Sequence, residues 1–390
     1  MLFRSRDVYI TPLVRDQFGK KMTKSRGNVV DPLQIMETYG TDAVRFTLAQ
    51  LSVQGRDLIL SDDRLAASRA FANKVWNAAR FVLMNLEGAP QPLPAAKVAD
   101  LALAERWILA SLDNAVAEVS AAIDRYEFNV AALRAYSFIW HEFCDWYIEL
   151  AKEPLKPGGV RQAAVRWVLV RGFDGLLRLL HPFMPFITEE IWQALRPYID
   201  EPGLAPHLAI AKFPLPQPAT ALSKDDAAAM EHCIAATEAI NSLRSLLGYH
   251  PGQRVEARIK FLGVDSAAAE FRAEFERWKP YAATMAKAAS LGLAGPTDNT
   301  PGGMVTAVLG WCEVAVMAPE GFDFERARAA LRKKLNEVTA HHRQHQARLD
   351  NPEFVAKAAP EMQEQMQQRT QELADQQELL RKQLRLLEAN

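Results

Sequence analysis

The stretch Lys20-Lys21-Met22-Thr23-Lys24-Ser25-Arg26-Gly27-Asn28 decides how the rest of the chain is read. Three lysines and one arginine fall within seven of its residues. Before it, the β-rich run Val8-Tyr9-Ile10 predicts a short strand. The polar stretch from Arg15 to Asn28, punctuated by Gly19 and Gly27, predicts a loop. After it, Asp31-Pro32 opens a helix, with Asp as N-cap, Pro at the first helical position and Gln34 three residues past the cap. Thr41-Asp42 is a second N-cap candidate, followed by Ala43, Val44, Phe46, Thr47 and Leu48 in a helical pattern. Strand, loop and helix make residues 1–65 a mixed α/β segment. The basic loop has two readings. It is a solvated charge run, or a mobile clamp in which lysine point charges meet phosphate oxygens and Gly27 permits close backbone approach.

Outward from the loop, residues 66–200 are helical by pattern. Phe71, Val75, Trp76, Ala79 and Val82-Leu83 recur at helical spacing, as do Trp107, Leu109, Leu112, Val116 and Val119. Asn129 to Leu150 is rich in aromatics (Tyr136, Phe138, Trp140, Phe143, Trp146, Tyr147), and Val165 to Leu180 is a further apolar helix. Breaks at Gly88–Pro94 and Pro154–Gly159 divide them, which predicts a bundle of four or more helices. A proline-rich linker, Pro202–Pro218, ends it. Residues 222–320 return to α/β: a helix over 227–247, a strand over Arg254–Phe261, a helical stretch over 266–290, and strands Met304–Leu309 and Cys312–Met317 around Gly310. From 323 the chain turns to Gln, Glu, Arg, Leu and Ala. Leu331, Leu335, Val338, His342, His345 and Leu349 alternate four and three apart, and Met366, Leu373, Leu380 and Leu387 recur every seven, with Met362 and Leu384 in the neighbouring core position. The break at Asp350-Asn351-Pro352 makes this an antiparallel hairpin whose first arm, of about 27 residues, spans roughly 40 Å.

Composition excludes several classes. Lys and Arg total 46 against 47 Asp and Glu, so a wholly basic nucleic-acid coat is excluded, while a basic face is not. The three cysteines, Cys144, Cys233 and Cys312, are far apart, which excludes a disulfide framework and a CxxC-type zinc site. No stretch of 18 or more apolar residues is present, and the first residues carry no long apolar signal region. A soluble, cytoplasmic protein without membrane contact or structural metal is expected.

Lys21-Met22-Thr23-Lys24-Ser25 resembles the KMSKS signature of class I aminoacyl-tRNA synthetases, with Thr for the first Ser. The likeness continues through Gly27-Asn28-Val29-Val30-Asp31-Pro32, Tyr39-Gly40-Thr41-Asp42-Ala43-Val44-Arg45-Phe46, Gly55-Arg56-Asp57 and Asn73 to Phe81. It runs on through His181-Pro182-Phe183-Met184-Pro185-Phe186 and Glu189-Glu190-Ile191-Trp192 into the terminal hairpin. Within the class, the sequence is similar to the C-terminal portion of the valyl family. The isoleucyl family ends in a cysteine-rich zinc module and the leucyl family in a different domain, so the long hairpin favours valine.

The resemblance implies a mainly α fold in four parts. These are the end of a class I nucleotide-binding α/β domain with the KMTKS loop (1–65), a helical anticodon-binding bundle (66–218), a small α/β module (219–322) and an antiparallel coiled-coil hairpin that braces tRNA (323–390). It implies ATP with Mg as cofactor and the tRNA for valine as partner. Lys24, assisted by Lys21, would stabilise the triphosphate during adenylate formation, with Met22, Thr23 and Ser25 in the same site. The His-x-Gly-His signature, the amino-acid pocket and the editing domain of the class do not occur in these residues; His250-Pro251-Gly252-Gln253 reads as a turn. The chain is therefore expected to be a C-terminal half that is inactive alone, with a separately supplied N-terminal half as a partner. The competing expectations are a non-catalytic tRNA-binding module, or the same part of an isoleucyl or leucyl enzyme.

Other residues offer less chemistry. The first hairpin arm carries Arg326, Arg328, Arg332, Lys333, Lys334, Arg343 and Arg348 against Asp323, Glu325, Glu337 and Asp350. That is a basic ridge for RNA phosphates, with Arg326, Arg332, Lys333 and Arg343 as candidates, or one side of interhelical ion pairing with the acidic second arm, whose bases are Lys357, Arg369, Arg381, Lys382 and Arg385. The aromatic cluster Tyr136–Tyr147 reads as core, although it could stack bases. His181 reads as part of a helix junction, and His141, Cys144 and Asp145 as structural. Arg244 and Arg254 are open to tRNA contact or to salt bridging.

Overall fold

The computed structural model describes residues 7–97, 100–157, 159, 161–216, 222–262, 268–295, 298–351 and 360–388. Pro218, Pro352 and Lys357, and the side chains of Lys24 and Met362, lie outside that description. The described chain is mainly helical, with two small sheets. It divides into two compact units, Met1–Ala227 and Ala228–Asn390.

In the first unit, β1 (Val14–Arg15) pairs in parallel with β2 (Leu58–Ile59), Val14 opposite Leu58. The expected strand at Val8-Tyr9-Ile10 is not formed, and Val8 and Ile10 are each 84% exposed. The reason is pairing: β1 forms where β2 offers a partner, four residues further on. Between the strands lie α1 (Pro32–Tyr39) and α2 (Thr41–Leu51). Asp31 caps α1 as read from sequence, its side chain accepting from the Leu33 N–H at 2.9 Å. Ile35 and Val44 then meet Leu65 of α3 (Asp62–Leu86) in a small core.

Asp42 does not cap its own helix. The N-cap of α2 is Gly40, and Asp42 sits in the first turn. Its carboxylate accepts the N–H groups of Phe186 (3.3 Å) and Ile187 (2.7 Å), in the first turn of α8 (Pro185–Leu195). One turn along α2, Arg45 donates to the carbonyls of Pro182 (3.1 Å) and Phe183 (3.3 Å). An anion on free helix N–H groups and a cation on free carbonyls lock α2 to the 181–187 junction.

The bundle is built from α3, α4 (Leu103–Asp124), α5 (Phe128–Ser137), a π-helical segment (Phe138–Tyr147) continuing into α6 (Ile148–Ala151), α7 (Gln162–Leu180) and α8. In the π segment the buried residues are Phe138, Ile139, Phe143, Cys144 and Tyr147, then Ile148. Five-residue spacing suits a winding that aligns i with i+5. Two glycines of α7 permit close packing. A Cβ at Gly172 would stand 2.8 Å from the Phe143 ring, and one at Gly175 would stand 2.7 Å from a Leu112 methyl.

In the second unit, α9 (Lys224–Leu246) is followed by a four-stranded sheet in the order β4-β3-β6-β5. β3 (Val255–Phe261) and β4 (Ala288–Ala294) are parallel, with α10 (Ala268–Met285) as crossover. β5 (Met304–Val308) and β6 (Cys312–Met317) form an antiparallel hairpin. The helical stretch expected to reach 290 instead stops at 285. Ala288-Ala289-Ser290-Leu291-Gly292-Leu293-Ala294 becomes a strand because β3 offers it a hydrogen-bonded edge, which overrides weak β propensity. Buried Arg244 is a clip, donating to the carbonyls of Ala286 and Gln253, each at 2.8 Å.

The chain ends in an antiparallel pair, α11 (Phe324–Leu349) and α12 (Pro360–Glu388). Val338, Leu373 and Leu380 form its centre, with Leu331 and Leu335 against them. Arg328 donates to the Leu387 carbonyl and Arg332 pairs with Glu388, which fixes the register at the base. The seam of α12 also buries Thr370 and Gln377.

Gly172→Ala should lower unfolding stability by about 1–3 kcal/mol, since the added methyl meets a rigid ring. Gly175→Ala should cost a similar amount, since its methyl would meet both Leu112 methyls, at 2.7 and 3.0 Å, and the Cγ at 3.3 Å. Urea unfolding of the two variants checks both.

Candidate functional site

The basic loop leaves β1 and returns to α1 across a polar neck. Asp16-Gln17-Phe18-Gly19 is a tight turn, with Gly19 at φ 73° and its N–H donating to the Asp16 carbonyl at 2.8 Å. Asp16 Oδ1 accepts the N–H groups of Phe18 (3.0 Å) and Lys20 (2.8 Å). Its Oδ2 accepts Asn28 Nδ2 at 2.8 Å. The same Nδ2 donates to the Lys21 carbonyl at 3.2 Å, while Asn28 Oδ1 accepts the Thr23 N–H at 2.9 Å. The Asn28 amide, burial notwithstanding, holds the Asp16 carboxyl below the usual carboxylate range, helped by the Lys20 and Phe18 N–H groups and the Lys20 charge. Beside the neck, Arg15 pairs with Asp57 and donates to the Gly19 carbonyl at 3.1 Å. These contacts give Gly55-Arg56-Asp57 a place next to the loop.

Within the loop, Lys21 and Ser25 are exposed, and Met22 and Thr23 are half-buried. The hydroxyls of Thr23 and Ser25 lie 3.2 Å apart. Lys24 opens a single 3₁₀ turn, Lys24–Arg26, closed by the Arg26 N–H on the Thr23 carbonyl at 3.1 Å. Gly27 follows at φ 66°. The loop therefore presents cationic side chains, two hydroxyls and a turn of backbone on one short arch, a set suited to phosphate oxygens. Sequence reasoning quoted Asn28 and passed over Asp16. The available signal was the turn spacing, with Asp first and Gly fourth.

On the hairpin, the candidate bases separate. Arg332 is held by Glu388 at 2.7 Å, and Arg328 is half-buried against Glu325 and the Leu387 carbonyl. Arg326, Lys333 and Arg343 are exposed, with no ion-pair partner among the described residues. In the bundle, Phe138, Phe143 and Tyr147 are fully buried. Tyr136 and Trp140 stack at 5.5 Å, and Lys74 lies 4.1 Å over the Trp140 ring while paired to Asp145. Burial pushes the thiols of Cys144, Cys233 and Cys312 up to about 12, leaving them inert. Among the described residues no cluster of three or more His, Cys, Asp or Glu could hold a metal ion.

A family model described as the anticodon-binding domain of tRNA ligase matches residues 105–259. Models for tRNA synthetases class I (I, L, M and V) and for the valyl tRNA synthetase tRNA binding arm match residues 4–61 and 323–388. All three models describe parts of tRNA ligases. Curated proteins similar to this chain are valine–tRNA ligases. That of Geobacter sulfurreducens is 41% identical over 355 residues, covering 90% of this chain and 39% of the relative. That of Syntrophotalea carbinolica is 40% identical over 382 residues, covering 96% of this chain and 40% of the relative. That of Pseudothermotoga lettingae is 53% identical over 190 residues, covering 48% of this chain and 21% of the relative. The chain thus spans 39–40% of the length of the Geobacter and Syntrophotalea relatives.

His181 lies in the junction that α2 grips, with Nδ1 2.7 Å from the Thr188 hydroxyl. Burial holds its imidazole below the ordinary histidine value. Its contribution is therefore complete above about pH 6.5 and is lost as pH falls towards the lowered folded value. The melting temperature should drop on acidification from pH 7 to pH 5, with a smaller drop in His181→Gln. Calorimetry across that range checks it.

Proposed function

We propose that this chain supplies the triphosphate-gripping loop and the tRNA-holding parts of a valine–tRNA ligase, the enzyme that uses ATP to attach valine to its tRNA. The observation that carries this reading is the order of parts. A Lys21–Ser25 loop, a helical bundle, a small α/β module and a helical hairpin follow one another, and one kind of relative matches the chain across nearly all of that order. The working divisions are residues 1–65, 66–218, 219–322 and 323–390.

In this reading Lys24 and Lys21 hold the phosphates of ATP, which carries Mg as its counter-ion. Their worth lies in gripping the triphosphate harder as charge builds on it than in the ground state. The Thr23 and Ser25 hydroxyls and the backbone of the 3₁₀ turn add hydrogen bonds. Valine tRNA is the RNA partner: the bundle takes its anticodon, and Arg326, Lys333 and Arg343 of α11 lie along its phosphates. Arg332 joins them only by giving up Glu388. The remaining catalytic parts lie outside these 390 residues, and the setting is the cytoplasm. No helix among the described residues is long and apolar enough to cross a membrane.

A non-catalytic tRNA-binding module is the second reading. The observation that favours it is that these 390 residues hold no His-x-Gly-His motif. The pure chain should form no valyl-adenylate; valine-dependent pyrophosphate exchange by the chain alone would contradict that. Activity that returns when the rest of the enzyme is added supports the ligase reading, and its absence supports the binding module.

Binding to valine tRNA should weaken steeply with salt, because each neutralised phosphate releases counter-ions. Lys333→Ala and Arg343→Ala should each reduce the slope of log affinity against log salt by roughly one, and Arg332→Ala by less. A salt series on valine and isoleucine tRNA reads both the slope and the discrimination.

A further inference from the structure

Residues 20–28 carry the signature, yet their own packing does little to hold it in one place. Lys20, Lys21, Ser25, Arg26 and Gly27 are exposed, and Met22 and Thr23 are only half-buried. The bonds that join the two ends of the arch run through two side chains. We infer that Asp16 and Asn28 are the latch of the signature loop, and that Asp16 is a positioning residue that sets where Lys21 and its neighbours stand. The inference rests on reading this loop as the phosphate grip.

The geometry supports this in three ways. First, the orientation of the Asn28 amide is determined by its partners. Its oxygen must face the Thr23 N–H, so its NH₂ faces Asp16 and the Lys21 carbonyl. Second, the latch ties four points of the chain. Asp16 holds the turn at Phe18 and Lys20, and through Asn28 it reaches Lys21 and Thr23. Third, the latch is built to be an anion. Asp16 is 9% exposed and uses three acceptor bonds across its two oxygens. An asparagine at 16 would keep one oxygen for the turn and set an NH₂ against the NH₂ of Asn28. The turn would survive and the latch would open. Charged groups beside the neck are Arg15, Lys20, Lys21 and Asp57. Arg15 is already occupied by Asp57, so its charge is not free to replace a missing latch bond.

The test is amide hydrogen exchange, read by mass spectrometry on the full 390-residue chain. Peptides within 16–30 are followed in the wild type, Asp16→Asn and Asn28→Ala. Both variants should exchange about tenfold faster at the segment holding the Thr23 amide, the loss expected for a charge-assisted bond. Asp57→Asn, which breaks the neighbouring ion pair and not the latch, should exchange there nearly as the wild type does. Exchange in the bundle should be unchanged, which separates an opened loop from a damaged fold. The wild type gives a second readout that needs no variant. After correction for intrinsic rates, its loop protection should hold at neutral pH and be lost as pH falls through the lowered Asp16 value, while Asp16→Asn shows no such step. Unchanged exchange in both variants, or a wild-type profile without that step, overturns the latch. Inorganic tripolyphosphate with Mg is the probe for the underlying reading and should slow exchange of the same segment in the wild type. A loop that loosens in the variants but ignores tripolyphosphate leaves the latch standing and overturns the phosphate grip.

Discussion

Two charges buried in the middle of the bundle constrain everything around them. Asp174 and Arg178, one turn apart on α7, are 4% and 7% exposed. Arg178 Nε donates to both Asp174 oxygens at 2.9 and 3.0 Å, and its other nitrogens reach the Lys212 carbonyl (3.1 Å) and Glu201 (2.7 Å). Trp192 of α8 donates its indole N–H to Asp174 at 2.8 Å. Burial works against the guanidinium charge, and the two carboxylates outweigh it, so Arg178 stays charged. A half-satisfied network of this kind would be worse than an apolar core. Every partner must therefore arrive, which ties α7, α8 and the segment from 201 to 212 to one arrangement.

From that centre the restraint passes outward by ordinary contacts. α8 is fixed by Trp192, so its N-terminus stands where Asp42 can accept its free N–H groups. Asp42 and Arg45 hold α2, α2 packs on α1, and α1 begins four residues after Asn28. The landward end of the signature loop is thus carried by the bundle. The hairpin works differently. Its apolar core is Val338, Leu373 and Leu380 with Leu331 and Leu335 against them, and polar Thr370 and Gln377 are buried along α12.

Much of this was legible from residues. Helical spacing in α3 and α4 identified Phe71, Val75, Leu112 and Val116, because a helix with one buried face repeats every 3.6 residues. The heptads of Leu331 to Leu349 were legible for the same reason. Less was legible at Val8-Tyr9-Ile10, at 288–294 and at Arg244. A strand exists only where another strand offers hydrogen bonds, and an arginine is a clip or a surface charge according to which carbonyls surround it. Thr370 and Gln377 were missed because a seam search that follows apolar residues passes over polar ones in the same register.

By itself, the sequence determined the order of parts, the helical periods, the caps made by neighbours such as Asp31 and the chemistry offered by Lys20 to Asn28. These depend on residues a few positions apart, whose geometry the backbone imposes. Only the tertiary structure decided that Asp42 caps a helix 144 residues away, and that Asp57 occupies Arg15 from 42 residues further along. It also decided that Arg332 is taken by Glu388 while Lys333 and Arg343 remain exposed, and that Asp16 closes the signature loop through Asn28. A charge has no fixed role until its partner is in place, and partners distant in sequence are chosen by packing.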